Sequence, residues 1–417
     1  MGVYEEHTGG GAMTDIARYP GAAAVTGAAQ WFRYCYGDDP AGVWHAPGRV
    51  NLIGEHTDYN DGLVFPFALG LGVRVAATRH SGDGADTLEL CSRQARSGRD
   101  AAGNSSVPAQ VTVRLESLAP GSVPGWAGYA AGVAWSLREA GHLVGGARLA
   151  IDSDLPQGAG LSSSAALECA VAMALTGLYR MEVPRPALAQ LARRAENEFV
   201  GVPSGIMDQS AALLCRRGHA LLLDCRTLAT SHVPFDPASA GLVIAVVDTR
   251  VRHELGNSAY AERQRECEQA ARVLGVPSLR DVTDADGALA RLDDPVLRRR
   301  ARHVITDNHR VQAVADRLYA GAISEVGGLL TASHESLRDD FEVSWPQADV
   351  AVAAAIAGGA LGARMIGGGF GGSAIALVPA DRAHEVEDAI TAEFARRRWA
   401  APKVIPASPE SGAYRMR

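Results

Sequence analysis

Lysine is almost missing from this sequence. Of forty basic residues in 417, only Lys403 is a lysine and the rest are arginines. A P-loop needs a lysine after its glycines, and a protein kinase needs a strand lysine over the phosphates. Lys403 stands in Ala401-Pro402-Lys403 with neither setting around it, which excludes both schemes. The six cysteines (35, 91, 169, 215, 225 and 267) contain no C-x-x-C pair. A structural zinc site has no support, and reduced thiols in a cytoplasmic protein are the expectation. No uninterrupted apolar run reaches the length of a membrane span; the charge-poor stretch 350–363 is rich in Ala and Gly. The first twenty residues have no apolar h-region, so a secretory leader is not expected, and Met13 offers a second candidate start. The formal charge of −7 argues against a general nucleic-acid or anionic-membrane surface but leaves room for a local anion site. There are no internal repeats.

What is present is ordinary for a globular chain: 47% hydrophobic and 21% charged residues, which excludes a disordered one. The length suits two or three domains or one large bilobal unit. Val73–Thr78, Leu88–Ser92, Ala147–Asp152 and Leu242–Val247 read as strands. Trp126–Glu139, Tyr260–Leu274 and Pro295–Ala320 read as helices. Residues 96–106 are the best surface-loop candidate. Turn signals at Pro47-Gly48 and at Gly54 bracket a short apolar piece. Helices and strands mix without a regular βαβ repeat, so the fold class is α+β.

Four segments carry chemistry. Gly158-Ala159-Gly160-Leu161-Ser162-Ser163-Ser164 joins a strand to an apolar helix. Its glycines admit close backbone approach, the helix offers free N–H groups, and three hydroxyls add donors, a setting for a polyphosphate that needs no lysine. A serine-capped turn is the plain alternative. Glu196 falls at the margin of the helical stripe Leu188, Leu191, Ala192, Ala195 and Phe199, where a carboxylate needs a partner. A divalent cation would serve, and so would the neighbouring Arg193 or Arg194, or solvent. Asp208 falls in the first turn of a helix after a Gly/Pro/Ser turn, where the helix dipole favours a carboxylate. The string from Gly48 to Asn60 packs Arg49, Glu55, His56, Asp58 and Asn51 around the apolar piece. Carboxylates there suit the vicinal hydroxyls of a sugar, and arginine suits a migrating phosphoryl group. His56 has no second histidine at metal-ligand spacing. A further glycine loop, Gly367-Gly368-Gly369-Phe370-Gly371-Gly372, precedes a strand.

Taken together, Ala46-Pro47-Gly48-Arg49-Val50-Asn51-Leu52-Ile53-Gly54-Glu55-His56-Thr57-Asp58-Tyr59, the stretch Leu155–Ala166, Gly205–Gln209, Ser333–Ser344 and Gly362–Gly372 resemble the GHMP small-molecule kinases, and within them the galactokinase family. The resemblance runs from about Trp44 to the C-terminus. It implies a two-lobed α+β kinase fold with the active site between lobes: a flexible extension over 1–21, an N-terminal domain over 22–213 and a C-terminal domain over 214–417. It implies phosphorylation of galactose by ATP with Mg²⁺ and no nucleic-acid or membrane partner; a monomer is the expectation, and an oligomer stays open. By the same resemblance Arg49 stabilises the transferring phosphoryl charge and Asp208 is the acid–base residue. Glu55, His56, Thr57, Asp58, Gly205 and Tyr260 take the sugar, residues 158–164 take the ATP phosphates, and Ser164 with Glu196 holds the metal. A galactose-sensing regulator without catalysis, or a kinase of a related sugar, would share much of this pattern. The intact Ser162-Ser163-Ser164-Ala165 run favours an enzyme. Gln347-Ala348-Asp349, Leu63 and Phe65-Pro66-Phe67 depart slightly from the family pattern.

Overall fold

Strand alternation sorts the N-terminal half into layers, as seen in a computed structural model that describes residues 22–97, 107–252 and 256–417. The strands are β1 (Gly42–Asn51), β2 (Leu63–Val64), β3 (Pro66–Arg79), β4 (Thr87–Ser97), β5 (Val107–Arg114), β6 (Ala147–Ser153), β7 (His219–Asp224), β8 (Thr230–Pro234), β9 (Leu242–Asp248), β10 (Gly362–Ile366), β11 (Ser373–Pro379), β12 (Lys403–Ala407) and β13 (Tyr414–Arg415). The helices are α1 (Ala22–Tyr36), α2 (Trp126–Glu139), α3 (Ser163–Tyr179), α4 (Arg185–Arg194), α5 (Met207–Leu214), α6 (Gly256–Leu274), α7 (Ala285–Ala290), α8 (Pro295–Tyr319), α9 (Gly327–Asp339), α10 (Pro346–Gly358) and α11 (Ala383–Arg396). The expected extension 1–21 and residues 98–106 of the expected surface loop lie outside the described residues.

A six-stranded sheet runs β13-β1-β3-β6-β4-β5, and only its β4/β6 pair is parallel. Successive side chains point to opposite faces. Val43, Ala76 and Ala150 therefore meet Ala28 and Phe32 of α1, while Trp44, Val75, Leu149 and Ile151 face the core shared with α2 and α3. Helix α3 is apolar almost all round and is buried accordingly. A four-stranded antiparallel sheet, β10-β11-β9-β12, packs its Ala- and Val-rich face on α10 and α11. A third core joins α6, α7 and α8 to Phe341, Val343 and Trp345. The chain's last strand returns to the first sheet, pairing Trp44 with Arg415 and His45 with Tyr414.

Two expectations are corrected. The turn anticipated at Pro47-Gly48 is a bulge inside the continuous strand β1, where the register with β3 shifts between Pro47 and Arg49. Glycine is required there by packing: a Cβ on Gly48 would stand 2.6 Å from Leu155 Cδ2 and from the Leu161 carbonyl oxygen. The six cysteines are not all thiols. Cys35 of α1 and Cys91 of β4 form a disulfide, because packing α1 on the sheet brings together two residues 56 apart in sequence. Local spacing carries no sign of such a pair. Cys169, Cys215, Cys225 and Cys267 are free.

Candidate active site

The bulge at Gly48 turns Arg49 out of the sheet and toward the start of α5. Arg49 is buried, and its guanidinium makes a two-pronged contact with Asp208: Nε to Oδ1 at 2.9 Å and NH2 to Oδ2 at 3.1 Å. Its third nitrogen donates to the Gly160 carbonyl at 2.6 Å, and its backbone N–H donates to the Leu161 carbonyl. Ser162 Oγ donates to Asp208 Oδ2. Arginine, carboxylate and glycine–serine loop thus form one hydrogen-bonded unit.

The loop itself is shaped by left-handed backbone. Gly158 and Gly160 have φ of 68° and 72°, and Ser162 adopts 58° where a side chain is disfavoured. Ala159 and Leu161 are buried anchors, and Ser373 Oγ fixes the Ala159 carbonyl at 2.7 Å. Gly158, Gly160 and the three serines keep accessible surface, and α3 begins at Ser163 with the unpaired N–H groups of its first turn beside them. His56 and Phe370, in the two other loops of the site, also have positive φ. Such strain gathers where surrounding structure imposes it, often at functional sites.

Facing this unit is a cleft of about 280 Å³ lined by Arg49, Glu55, His56, Asp58, residues 202–205, Met207, Asp208, Tyr260 and the glycines 367–369. Of the six residues assigned to the sugar, five line it. Thr57 does not: it is wholly buried, and its hydroxyl donates to the Leu63 carbonyl at 2.7 Å, with the Gly54 carbonyl sharing that proton from 2.9 Å, bracing the turn that carries its neighbours. Glu55 Oε1 accepts from the Gly367 N–H at 2.8 Å and stands 3.6 Å from Arg364; burial pushes its carboxyl up, against the pull of that arginine. Burial, with Asp208 and Glu55 alongside, pushes the Asp58 carboxyl up to about 6. Gly205 has no room for a side chain, since a Cβ would overlap Asp58 Oδ2. Burial lowers His56 to about 3, so it is a neutral imidazole, hydrogen-bonded to the Tyr59 hydroxyl and ringed by Tyr260 and Phe341.

Glu196 lies on a π turn, Ala195–Val200, that continues α4; such turns are frequent at functional sites. It is buried, and neither neighbouring arginine is its partner: Arg194 pairs with Glu198 and Arg193 reaches the Ser204 carbonyl. Its Oε2 accepts from Ser204 Oγ at 2.6 Å and Gln209 Nε2 at 2.8 Å, and the Ser164 side chain also bonds it. Burial, then the charge of Asp208, raises its carboxyl. Among the described residues no three His, Cys, Asp or Glu side chains gather as a complete metal cage. One carboxylate with one hydroxyl is nevertheless the hard-oxygen set that Mg²⁺ uses when substrate phosphates complete its shell.

Five residues in and around the site have no role assigned from the sequence: Ser204, Glu168 and Arg252, which stand outside its named strings or carry no reading within them, and Gln209 and Arg364, which stand inside stretches that resemble the family. Arg252 lies over the loop, so close that a Cβ on Gly158 would meet its Cδ at 2.8 Å.

The chain matches three family models: the galactokinase galactose-binding signature over residues 30–79, the GHMP kinases N terminal domain over 128–216 and the GHMP kinases C terminal over 314–396. It is 47% identical over 399 residues to the galactokinase of Streptomyces coelicolor, covering 95% of this chain and all of that one. Identity to the galactokinase of Mycobacterium tuberculosis is 46% over 368 residues, 86% of this chain and 97% of the other. The crystal structure of Lactococcus lactis galactokinase complexed with galactose superposes with a TM-score of 0.86 at 32% identity, over 93% of this chain and 99% of that one. Mevalonate kinase of Methanococcus jannaschii, at 17% identity and a TM-score of 0.60, shares the fold. Full-length identity of this order leaves one conclusion: the chain belongs to the galactokinase family of the GHMP kinases.

Proposed function

We propose that the chain transfers the γ-phosphoryl group of ATP to the anomeric hydroxyl of α-D-galactose, giving galactose 1-phosphate and ADP. The observation that carries this is the two-pronged Arg49–Asp208 contact, tied to the glycine–serine loop on one side and opening on the Glu55–Asp58 cleft on the other. Phosphoryl transfer asks a protein mainly to position groups and neutralise charge. Glu55 and Asp58 accept from sugar hydroxyls, Tyr260 and the neutral His56 wall the ring, and Gly205 gives it room. Asp208 accepts the anomeric hydroxyl proton as the new O–P bond forms and the bond from the γ-phosphorus to the ADP oxygen breaks. Arg49 holds Asp208 in place and faces the transferring charge. Residues 158–164 cradle the phosphates with backbone N–H groups and the start of α3, and Arg252 adds a cation at the rim.

Ser164 and Glu196 are the residues that would hold Mg²⁺, which when bound neutralises phosphate charge. The division into domains at 213/214 is part of the same proposal, as is a cytoplasmic site of action, where ATP is available. An ADP-release assay over galactose, N-acetylgalactosamine, arabinose and glucose tests the reading. Galactose is expected to be turned over fastest. Binding of galactose with no ADP release would make the chain a sensor, and preference for another sugar would move it to a related kinase.

A further inference from the structure

Gln209 follows Asp208 in sequence but sends its side chain into the core, where it is fully buried. Its Nε2 donates to Glu196 Oε2 at 2.8 Å and to Glu168 Oε2 at 3.0 Å. A side-chain amide nitrogen carries two hydrogens, so both bonds form at once. Glu168, on α3, is fully buried, does not line the cleft, and its second oxygen has no partner among the described residues. A buried carboxyl group with a bare oxygen costs stability, and an apolar side chain of similar size would ordinarily serve a core better. Glu168 therefore needs a reason other than packing.

We infer that Glu168 and Gln209 form a positioning relay that fixes the orientation of Glu196 toward Ser164. Glu196 needs one. It sits on a π turn, and its long side chain has several rotamers of similar energy unless tertiary contacts choose among them. Gln209 Nε2 and Ser204 Oγ both donate to the same oxygen, Oε2, which leaves Oε1 for a different partner. Glu168 in turn stops the Gln209 amide from rotating, because only one orientation points the NH₂ group at two carboxyl groups. Groups that orient a metal ligand without touching the metal change metal affinity by roughly 10–100-fold when removed. The relay is thus a determinant of metal binding placed behind the site. It rests on the reading that Ser164 and Glu196 hold the magnesium.

The experiment uses the full chain and four variants, Glu196→Gln, Gln209→Leu, Glu168→Leu and Glu168→Gln. Mn²⁺ binding in the presence of ADP is read from the free-Mn²⁺ spin-resonance signal, and galactose affinity without nucleotide is read by calorimetry. Gln209→Leu and Glu168→Leu are expected to weaken Mn²⁺ binding by about tenfold, the lower end of that range, with galactose affinity unchanged. Glu168→Gln is expected to restore it to near wild type, since an amide oxygen still accepts from Gln209. Wild-type Mn²⁺ binding by Gln209→Leu would overturn the relay, and so would a Glu168→Gln variant as weak as Glu168→Leu, which would make the charge of Glu168 the active feature. Where the leucine variants do not fold, Gln209→Asn, too short to reach both carboxyl groups, reads the same loss. If Glu196→Gln itself binds Mn²⁺ normally, the metal reading fails, an outcome distinct from failure of the relay alone.

Discussion

Arg364 and Glu55 meet 3.6 Å apart with almost no exposed surface on either side chain. Arg364 comes from β10 in the C-terminal half, and its guanidinium also donates to the Asn51 and Leu52 carbonyls at 3.1 and 3.2 Å. One buried cation therefore ties the second half of the chain to the sugar signature of the first. It also opposes the burial that raises the Glu55 carboxyl.

Replacing Arg364 by Met keeps an unbranched side chain and removes the charge. Breaking a buried pair by removing one partner costs about 3–5 kcal/mol, so the melting temperature is expected to fall. Galactose affinity should fall with it, because Glu55 would be protonated over a wider pH range, while ATP affinity measured without sugar should change less than about twofold, the scatter of changes that leave a site alone. Calorimetry with each ligand separates these effects. A variant that melts lower yet binds galactose normally would make Arg364 a strut only.

Asp208→Asn preserves shape and removes the proton acceptor. Turnover is expected to drop by about 100-fold or more, the usual size of an acid–base contribution. Galactose binding should survive, because Glu55 and Asp58 lie on a different loop. Measuring turnover and galactose affinity on the same preparation checks both halves, and near-normal turnover would remove Asp208 from the chemistry.

Asp58 makes a pH-dependent prediction. Its carboxyl is raised from 3.8 to about 6 by burial and by Asp208 and Glu55. A carboxyl raised on folding adds stability that is fully present below pH 3.8 and is lost as pH rises through about 6. At pH 7.5 the free protein therefore bears a cost of up to about 3 kcal/mol from holding this carboxylate ionised. Asp58→Asn should melt several degrees higher than wild type at pH 7.5, lose that advantage by pH 4, and bind galactose poorly throughout. Coincident melting curves from pH 4 to 8 would show that Asp58 bears no such cost.

The parts of the site that were legible in the sequence are those written as continuous strings. The serine loop announced a strand-to-helix turn through its own glycines, and Arg49, Glu55 and Asp58 share one signature that one bulged strand and its following turn deliver together. Asp208 was readable as a first-turn acid. What was not legible depends on packing between distant segments. Gln209 and Glu168 are 41 positions apart, Arg364 and Glu55 more than 300, and neither pair has a local pattern. The Cys35–Cys91 disulfide was missed for the same reason. Pro47-Gly48 was misread because a bulge and a turn draw on the same residues, and only the neighbour strand decides between them. Thr57 looked like a sugar ligand because it sits within the signature, yet its hydroxyl serves the turn.

A last prediction concerns how a chain with one lysine holds a polyphosphate. Lys403 opens β12, is exposed, and lies opposite Asp248 in the sheet register, outside the residues that line the cleft. Lys403→Met should leave ATP affinity and turnover within about twofold, as surface changes worth under ~0.5 kcal/mol do. Gly160→Val should behave differently, and the reason is backbone geometry rather than crowding. A Cβ at Gly160 would find nothing nearer than 3.8 Å, but φ is +72°, which a β-branched residue resists. The loop would have to turn away, taking with it the Gly160 carbonyl that Arg49 grips at 2.6 Å. Loss of ATP affinity and a fall in turnover are both expected, since the same carbonyl links the phosphate loop to the Arg49–Asp208 pair. Nucleotide titrations of the two variants side by side decide the matter: a large loss in the lysine variant with the glycine variant unaffected would mean that the phosphates sit elsewhere and residues 158–164 are only a turn.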